Sequence, residues 1–146
     1  MKAIVIYDSN YGNTKTIANR VGAAIGGTVV HVGTVNADTL VDFDVVVVGS
    51  PTVGGRPTKA IQDFLQTIPE ETSQRLKIAA FDTRLPEKFD QTVSFAAPMI
   101  AQALQEKGST VAAEPQGFIV DKADGALVPG EADRAWAWAR TIRTPI

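Results

Sequence analysis

Three short runs in this sequence combine small hydroxyl and amide side chains with glycine: Ser9-Asn10-Tyr11-Gly12-Asn13-Thr14, Gly49-Ser50-Pro51-Thr52-Val53-Gly54-Gly55-Arg56-Pro57, and Asp82-Thr83-Arg84-Leu85-Pro86. The first lies between a buried-strand pattern and the start of a helical one. Free backbone N–H groups and the positive end of a helix dipole favour an anion at such a junction, and hydroxyls add donors. The same residue types also suit plain capping in a tight turn. The spacing is neither that of a Walker A loop nor that of a dinucleotide-binding glycine turn. The second run follows four consecutive valines, and the third opens a long stretch without helical periodicity that continues to Phe89 and beyond.

The chain of 146 residues has no cysteine, which removes thiolate nucleophiles, disulfides and cysteine-held iron. Its single histidine, His31, cannot form a multi-histidine metal site, and on a second strand it reads as a satisfied edge residue. Redox chemistry in this chain would therefore need a borrowed cofactor. Fourteen Lys and Arg against sixteen Asp and Glu leave a formal charge of -2, with no basic run to track nucleic acid. The apolar start is too short for a signal peptide, and no run reaches the roughly 20 apolar residues of a membrane span, so a soluble cytoplasmic protein is expected.

The elements that would position the three runs are legible from periodicity. Ala3–Tyr7 is a β-branched apolar run and reads as a strand; Ile17, Val21 and Ile25 mark a helix closed by Gly26-Gly27. A second strand covers Val29–Val32, and residues 34–43 read as loop with one helical turn. Val45–Val48 has no polar face and predicts a central strand covered on both sides. Ile61, Phe64, Leu65 and Ile68 mark the next helix, stopped by Pro69. Ile78–Phe81 is a fourth strand, followed by an irregular segment over 82–95. Met99, Ile100, Ala103 and Leu104 then stripe a helix that carries Pro98 in its first turn. Val111–Val120 gives a last strand interrupted at Pro115, and Glu131–Ile142 a closing helix with Ala132, Ala135, Trp136, Ala139 and Ile142 facing inward. Strands alternating with helices predict one doubly wound α/β domain over residues 1–146 around a five-stranded parallel sheet. Ligands in such folds sit beyond the carboxyl ends of the strands, where the three runs fall.

Ile6 to Thr14 resembles the phosphate loop of the flavodoxin family, in which a Ser/Thr-x-x-Gly-x-Thr run wraps the phosphate of FMN. The second run matches the family segment that lies along the flavin ring, and Ala137-Trp138-Ala139 resembles a run in the last helix of many members. With Trp136 and Trp138 two apart on a helix, one is expected to be buried and the other partly exposed. The resemblance spans nearly the whole chain and implies the family's 2-1-3-4-5 strand order, which is flavodoxin's own. It implies FMN as cofactor and electron shuttling as function, with no catalytic side chain, no metal and no membrane. A redox partner protein, either reductase or acceptor, and a monomeric state are implied too. Ser9, Asn10, Tyr11, Gly12, Asn13 and Thr14 would hold the phosphate. Pro51, Thr52, Val53, Gly54 and Gly55 would line the ring, with Gly54-Gly55 as a peptide able to flip. Asp82, Thr83 and Arg84 would close the other side, and Phe89 is either a stacking side chain or a core residue.

Two departures from the family bear on tuning. Val53 stands where many flavodoxins stack a Trp or Tyr on the ring, and Arg56 and Arg84 lie in ring-contacting segments of a nearly neutral chain. Less aromatic stacking and nearby positive charge would both favour the reduced cofactor. The alternatives are an FMN-dependent NAD(P)H:quinone reductase, which usually carries insertions this chain lacks, and a binding or regulatory module with a degenerate flavin site. A response-regulator receiver would need an aspartate where Gly49-Ser50 stands.

Overall fold

A computed structural model describes residues 2–86, 94–122 and 125–142. The elements run β1 (Ala3–Tyr7), α1 (Asn13–Ile25), β2 (Thr28–His31), two short 3-10 turns, β3 (Val45–Pro51), α2 (Lys59–Thr67), α3 (Glu70–Arg75), β4 (Lys77–Arg84), α4 (Ala96–Glu106), β5 (Thr110–Val111), β6 (Gln116–Ile119) and α5 (Glu131–Ala139). All ladders are parallel, and the order is β2-β1-β3-β4-β5, with β6 also paired to β4.

The pleat sorts the sheet into two cores. Val46 and Val48, with Ile4, Ile6, Ile78 and Ala80, pack under α2 and α4. Val45 and Val47, with Val5, Tyr7, Ala79 and Phe81, pack under α1 and α5. Four successive valines are the expected result, since successive side chains meet opposite, equally dry layers. Helix α1 buries Ile17 and Val21 and ends at Gly26, whose φ of 67° allows the closing turn.

The structure differs from expectation at four places. The last strand is two segments, so the sheet has six strands: β5 pairs Lys77 with Thr110, whereas β6 pairs Phe81 with Gln116. The partner numbers differ by 33 in the first ladder and 35 in the second, so two extra residues are taken up around Pro115. Helix α2 stops before Pro69 as expected, but Pro69 then begins a further short helix, α3, whose first turn carries Glu70 and Glu71. Strand β4 runs on through Arg84, so Asp82, Thr83 and Arg84 belong to the sheet and not to a loop. On α5 the inward tryptophan is Trp138, in edge-to-face contact with Phe81 and Phe118 and donating from Nε1 to the Glu114 carbonyl at 2.9 Å. Trp136 instead lies half-buried beneath the Arg20 guanidinium, 4.8 Å from its ring centroid. Pro98 does fall in the first turn of α4.

One carboxylate ties the start of helix α5 to the sheet edge. Glu131 Oε2 accepts the Ile119 backbone N–H at 2.6 Å, and Arg134 donates to both carboxylate oxygens and to the Gly117 carbonyl. The hydrogen bonds from Arg134, joined by that from Ile119, outweigh burial and hold the Glu131 carboxyl below the usual range. A lowered folded-state value means stability that is present above the ordinary glutamate pKa and lost as pH falls through the folded one. Glu131→Gln is therefore expected to lower stability by about 1–2 kcal/mol at neutral pH. In urea titrations its gap from wild type should close as the pH is brought below the ordinary glutamate range.

Candidate functional site

The carboxyl ends of β1, β3 and β4 converge on a cavity of about 320 Å³. Its walls are Asn10, Tyr11, Asn13 and Thr14 from the β1–α1 junction, Pro51, Thr52, Val53 and Gly54 after β3, Thr83, Arg84 and Leu85 at the end of β4, and Val120. That volume lies at the small end of the roughly 300–1,000 Å³ seen for small-molecule sites.

The β1–α1 junction is built around an uncapped helix. Gly12 occupies the N-cap of α1 at φ 92°, no side chain caps the helix, and no acid stands in its first turn. A Cβ on Gly12 would meet nothing within 4 Å, so its backbone conformation, not crowding, calls for glycine there. The contrast with α2 and α4 is clear. Thr58 accepts from the Ile61 N–H to cap α2, while Thr52 Oγ1 and Asp82 Oδ2 accept the Ala96 and Ala97 N–H groups that open α4. The first N–H groups of α1 thus remain available to an anion from the cavity side. Ser9 Oγ accepts the Gly12 N–H at 3.0 Å and so closes the loop from within. Asn13 Nδ2 donates to the Gly125 carbonyl at 2.8 Å, tying the loop to the segment before α5.

After β3 the chain makes a two-residue hairpin. Val53 and Arg56 exchange backbone hydrogen bonds of 2.8 and 3.1 Å around Gly54 and Gly55, whose φ values are 57° and 79°. Two successive left-handed residues make a type I′ turn, which glycine pairs adopt without strain. Val53 is 51% exposed at the cavity rim, and Tyr11 across from it is 64% exposed.

The residues expected to close the far wall divide in two. Thr83 shares the face of Phe81 toward α1, and its Oγ1 lies 2.8 Å from Thr14 Oγ1. Asp82 is fully buried on the opposite face and does not border the cavity. Its two oxygens take Nε and Nη2 of Arg84 at 2.7 Å each. The Arg84 guanidinium stacks on Phe95 at 3.7 Å from the ring centroid and occupies the space that a Cβ on Gly117 would fill. The charge that was expected to act on a ligand is thus already offset by a carboxylate. Arg56 is exposed at the end of the hairpin and does not line the cavity.

Of the residues singled out from sequence, Asn10, Tyr11, Asn13, Thr14, Pro51, Thr52, Val53, Gly54, Thr83 and Arg84 border one cavity. Ser9, Gly12, Gly55 and Asp82 do not line it and shape its walls from behind. Phe89 lies outside the described residues. Leu85 and Val120 were missed, although both sit where a strand exits at the ligand-binding edge. His31 is nearer the site than its strand position suggested: its Nδ1 accepts the Gly33 N–H, which leaves Nε2–H to donate to Asp8 Oδ1 at 3.2 Å, one residue before Ser9. Among the described residues no group of His, Cys, Asp and Glu could hold a metal ion, and no helix is long and apolar enough to cross a membrane.

The division between the two arginines is measurable. Arg84→Ala strands a buried carboxylate and is expected to cost about 3–5 kcal/mol in urea unfolding. Arg56→Ala should stay within about 0.5 kcal/mol of wild type.

Sequence comparison with curated proteins gives no match. A flavodoxin from the domain Archaea superposes with a TM-score of 0.79 at 24% identity, covering 97% of this chain and 96% of that one. Oxidised flavodoxin 2 from Bacillus cereus gives 0.81 at 19% identity and 97% of both chains. Rubredoxin oxygen:oxidoreductase from Desulfovibrio gigas gives 0.75 at 18% identity, with 97% of this chain covering 35% of that larger one. At these identities the superpositions speak for the fold. The family described as Flavodoxin domain matches residues 4–120, and with that match the chain belongs to the flavodoxin family.

Proposed function

We propose that this protein is an FMN-binding electron carrier of the flavodoxin type that works with a redox partner protein in the cytoplasm. The observation that carries the reading is a single cavity joining the uncapped α1 N-terminus to the Pro51–Gly54 and Thr83–Leu85 walls. An end that binds an anion and an end with apolar walls are what a flavin mononucleotide requires.

Residues Asn10–Thr14 would hold the phosphate, and Pro51–Gly54 with Thr83–Leu85 would flank the ring. When bound, FMN supplies reversible electron transfer that no side chain of this protein can perform. The chain's own work is to bind, orient and exclude water. Backbone N–H groups at the start of α1 donate to the anion, and the aligned helix dipole adds to their pull. Asp82 accepts from both Arg84 and the Ala97 N–H and so ties the β4 end to the start of α4 behind this wall. Val53 covers the rim with a small apolar surface, where an aromatic side chain would add roughly 0.5–1.5 kcal/mol by stacking.

The test is the visible spectrum of the purified protein after excess FMN is added and unbound FMN removed. Retained flavin absorption with quenched fluorescence is expected. Thr14→Ala should weaken binding about tenfold or more, since hydrogen bonds to charged groups contribute roughly 1.5–3 kcal/mol. A protein that refuses FMN would overturn the proposal. Val53→Tyr should bind FMN more tightly, by about threefold to tenfold in fluorescence titration.

A further inference from the structure

We infer that Thr83, at the end of β4, is a positioning residue that aims the Thr14 hydroxyl at the cofactor's phosphate, and so helps the site distinguish FMN from flavin without phosphate. The inference rests on the FMN reading above and assigns Thr83 a different task from the ring contact expected of it.

The geometry begins with two buried hydroxyls. Thr14 is 1% and Thr83 5% exposed, their oxygens are 2.8 Å apart, and both border the cavity. Neither hydroxyl has another hydrogen-bond partner among the described residues. Each carries one hydrogen and two lone pairs. The pair therefore holds two O–H hydrogens, and its internal bond uses one. The other has no protein acceptor among the described residues and is free to donate into the cavity.

Which hydroxyl keeps the spare hydrogen is decided by electrostatics. Thr14 stands second in α1, beside the uncapped N–H groups, so an anion drawn to the helix start lies on its side of the pair. With an anion there, the stable order is Thr83 O–H donating to Thr14, and Thr14 O–H donating to the anion. Thr83 then fixes the direction of the Thr14 hydrogen and strengthens its bond by polarising it. The arrangement joins strand β4 to the phosphate loop across the cavity floor, 69 residues apart in sequence.

The experiment measures dissociation constants of the full chain for FMN and for riboflavin by fluorescence titration, in wild type, Thr83→Val and Thr83→Ser. Valine keeps the shape and removes the hydroxyl; serine keeps the hydroxyl. Thr83→Val is expected to weaken FMN about fivefold to tenfold, the size of one neutral hydrogen bond, and to weaken riboflavin by a clearly smaller factor. Thr83→Ser should restore most of the FMN affinity. In a Thr14→Val background, Thr83→Val should cost nothing further. Unchanged FMN binding in Thr83→Val, equal losses for both flavins, or failure of serine to rescue would each overturn the role of Thr83 while leaving the FMN reading intact. A wild type that takes up neither flavin overturns both.

Discussion

The parallel pairing of β1 with β3 is the constraint on which the rest of the molecule depends. Parallel strands cannot be joined by tight turns, so each needs a crossover, and the crossovers must cover the sheet they span. On one side of β1–β3 the chain winds to β2 over one face; on the other it winds to β4 over the opposite face. The exits of β1 and β3 therefore diverge at the same edge and leave a gap between them. The cavity is that gap, floored by Thr14 and Thr83 and roofed by loops. Both flanking cores must be dry for the arrangement to hold, which is why the first four residues of β3 are all valine.

Polar groups near the cavity are organised to leave the sheet end rigid and one helix end open. Hydroxyls and carboxylates from the β3 and β4 ends satisfy the first N–H groups of α4, and Thr58 satisfies α2. Among the described residues α1, unlike α2 and α4, starts with no side chain on its N–H groups. Arg84, which borders the cavity, is also a brace, closed onto Asp82, stacked on Phe95 and packed against Gly117. A pair of this kind fixes geometry at small net gain in stability, because the charges lose water to meet each other.

The layout of the fold was legible because its signals are local. Four valines, a glycine pair after an amphipathic stripe, and Pro98 needing a first turn all act within a few residues. Helix α3 was not legible: Pro69 reads as a stop, yet proline's fixed φ also suits the position just before a helix. The end of β4 was misjudged because Asp82 looks like a strand terminator. An Arg two residues on places the opposite charge on the same face, and that spacing was the missed signal. The choice between Trp136 and Trp138 depends on Phe81 and Phe118, which reach α5 only through the tertiary fold. The pairing of Thr14 with Thr83 is likewise invisible in sequence, since nothing local relates them.

The break between β5 and β6 has a consequence for how copies of this protein meet one another. An unbroken outer strand offers a neighbouring chain a continuous ladder of backbone donors and acceptors, the starting point for sheet-to-sheet aggregation. Here that border is cut into segments of two and four residues that are out of step by two, with Pro115 between them. The opposite border, β2, is only four residues long. A foreign strand would find no register on which it could run far along either side. The irregularity that two surplus residues impose thus keeps an otherwise strongly apolar parallel sheet from templating its own extension.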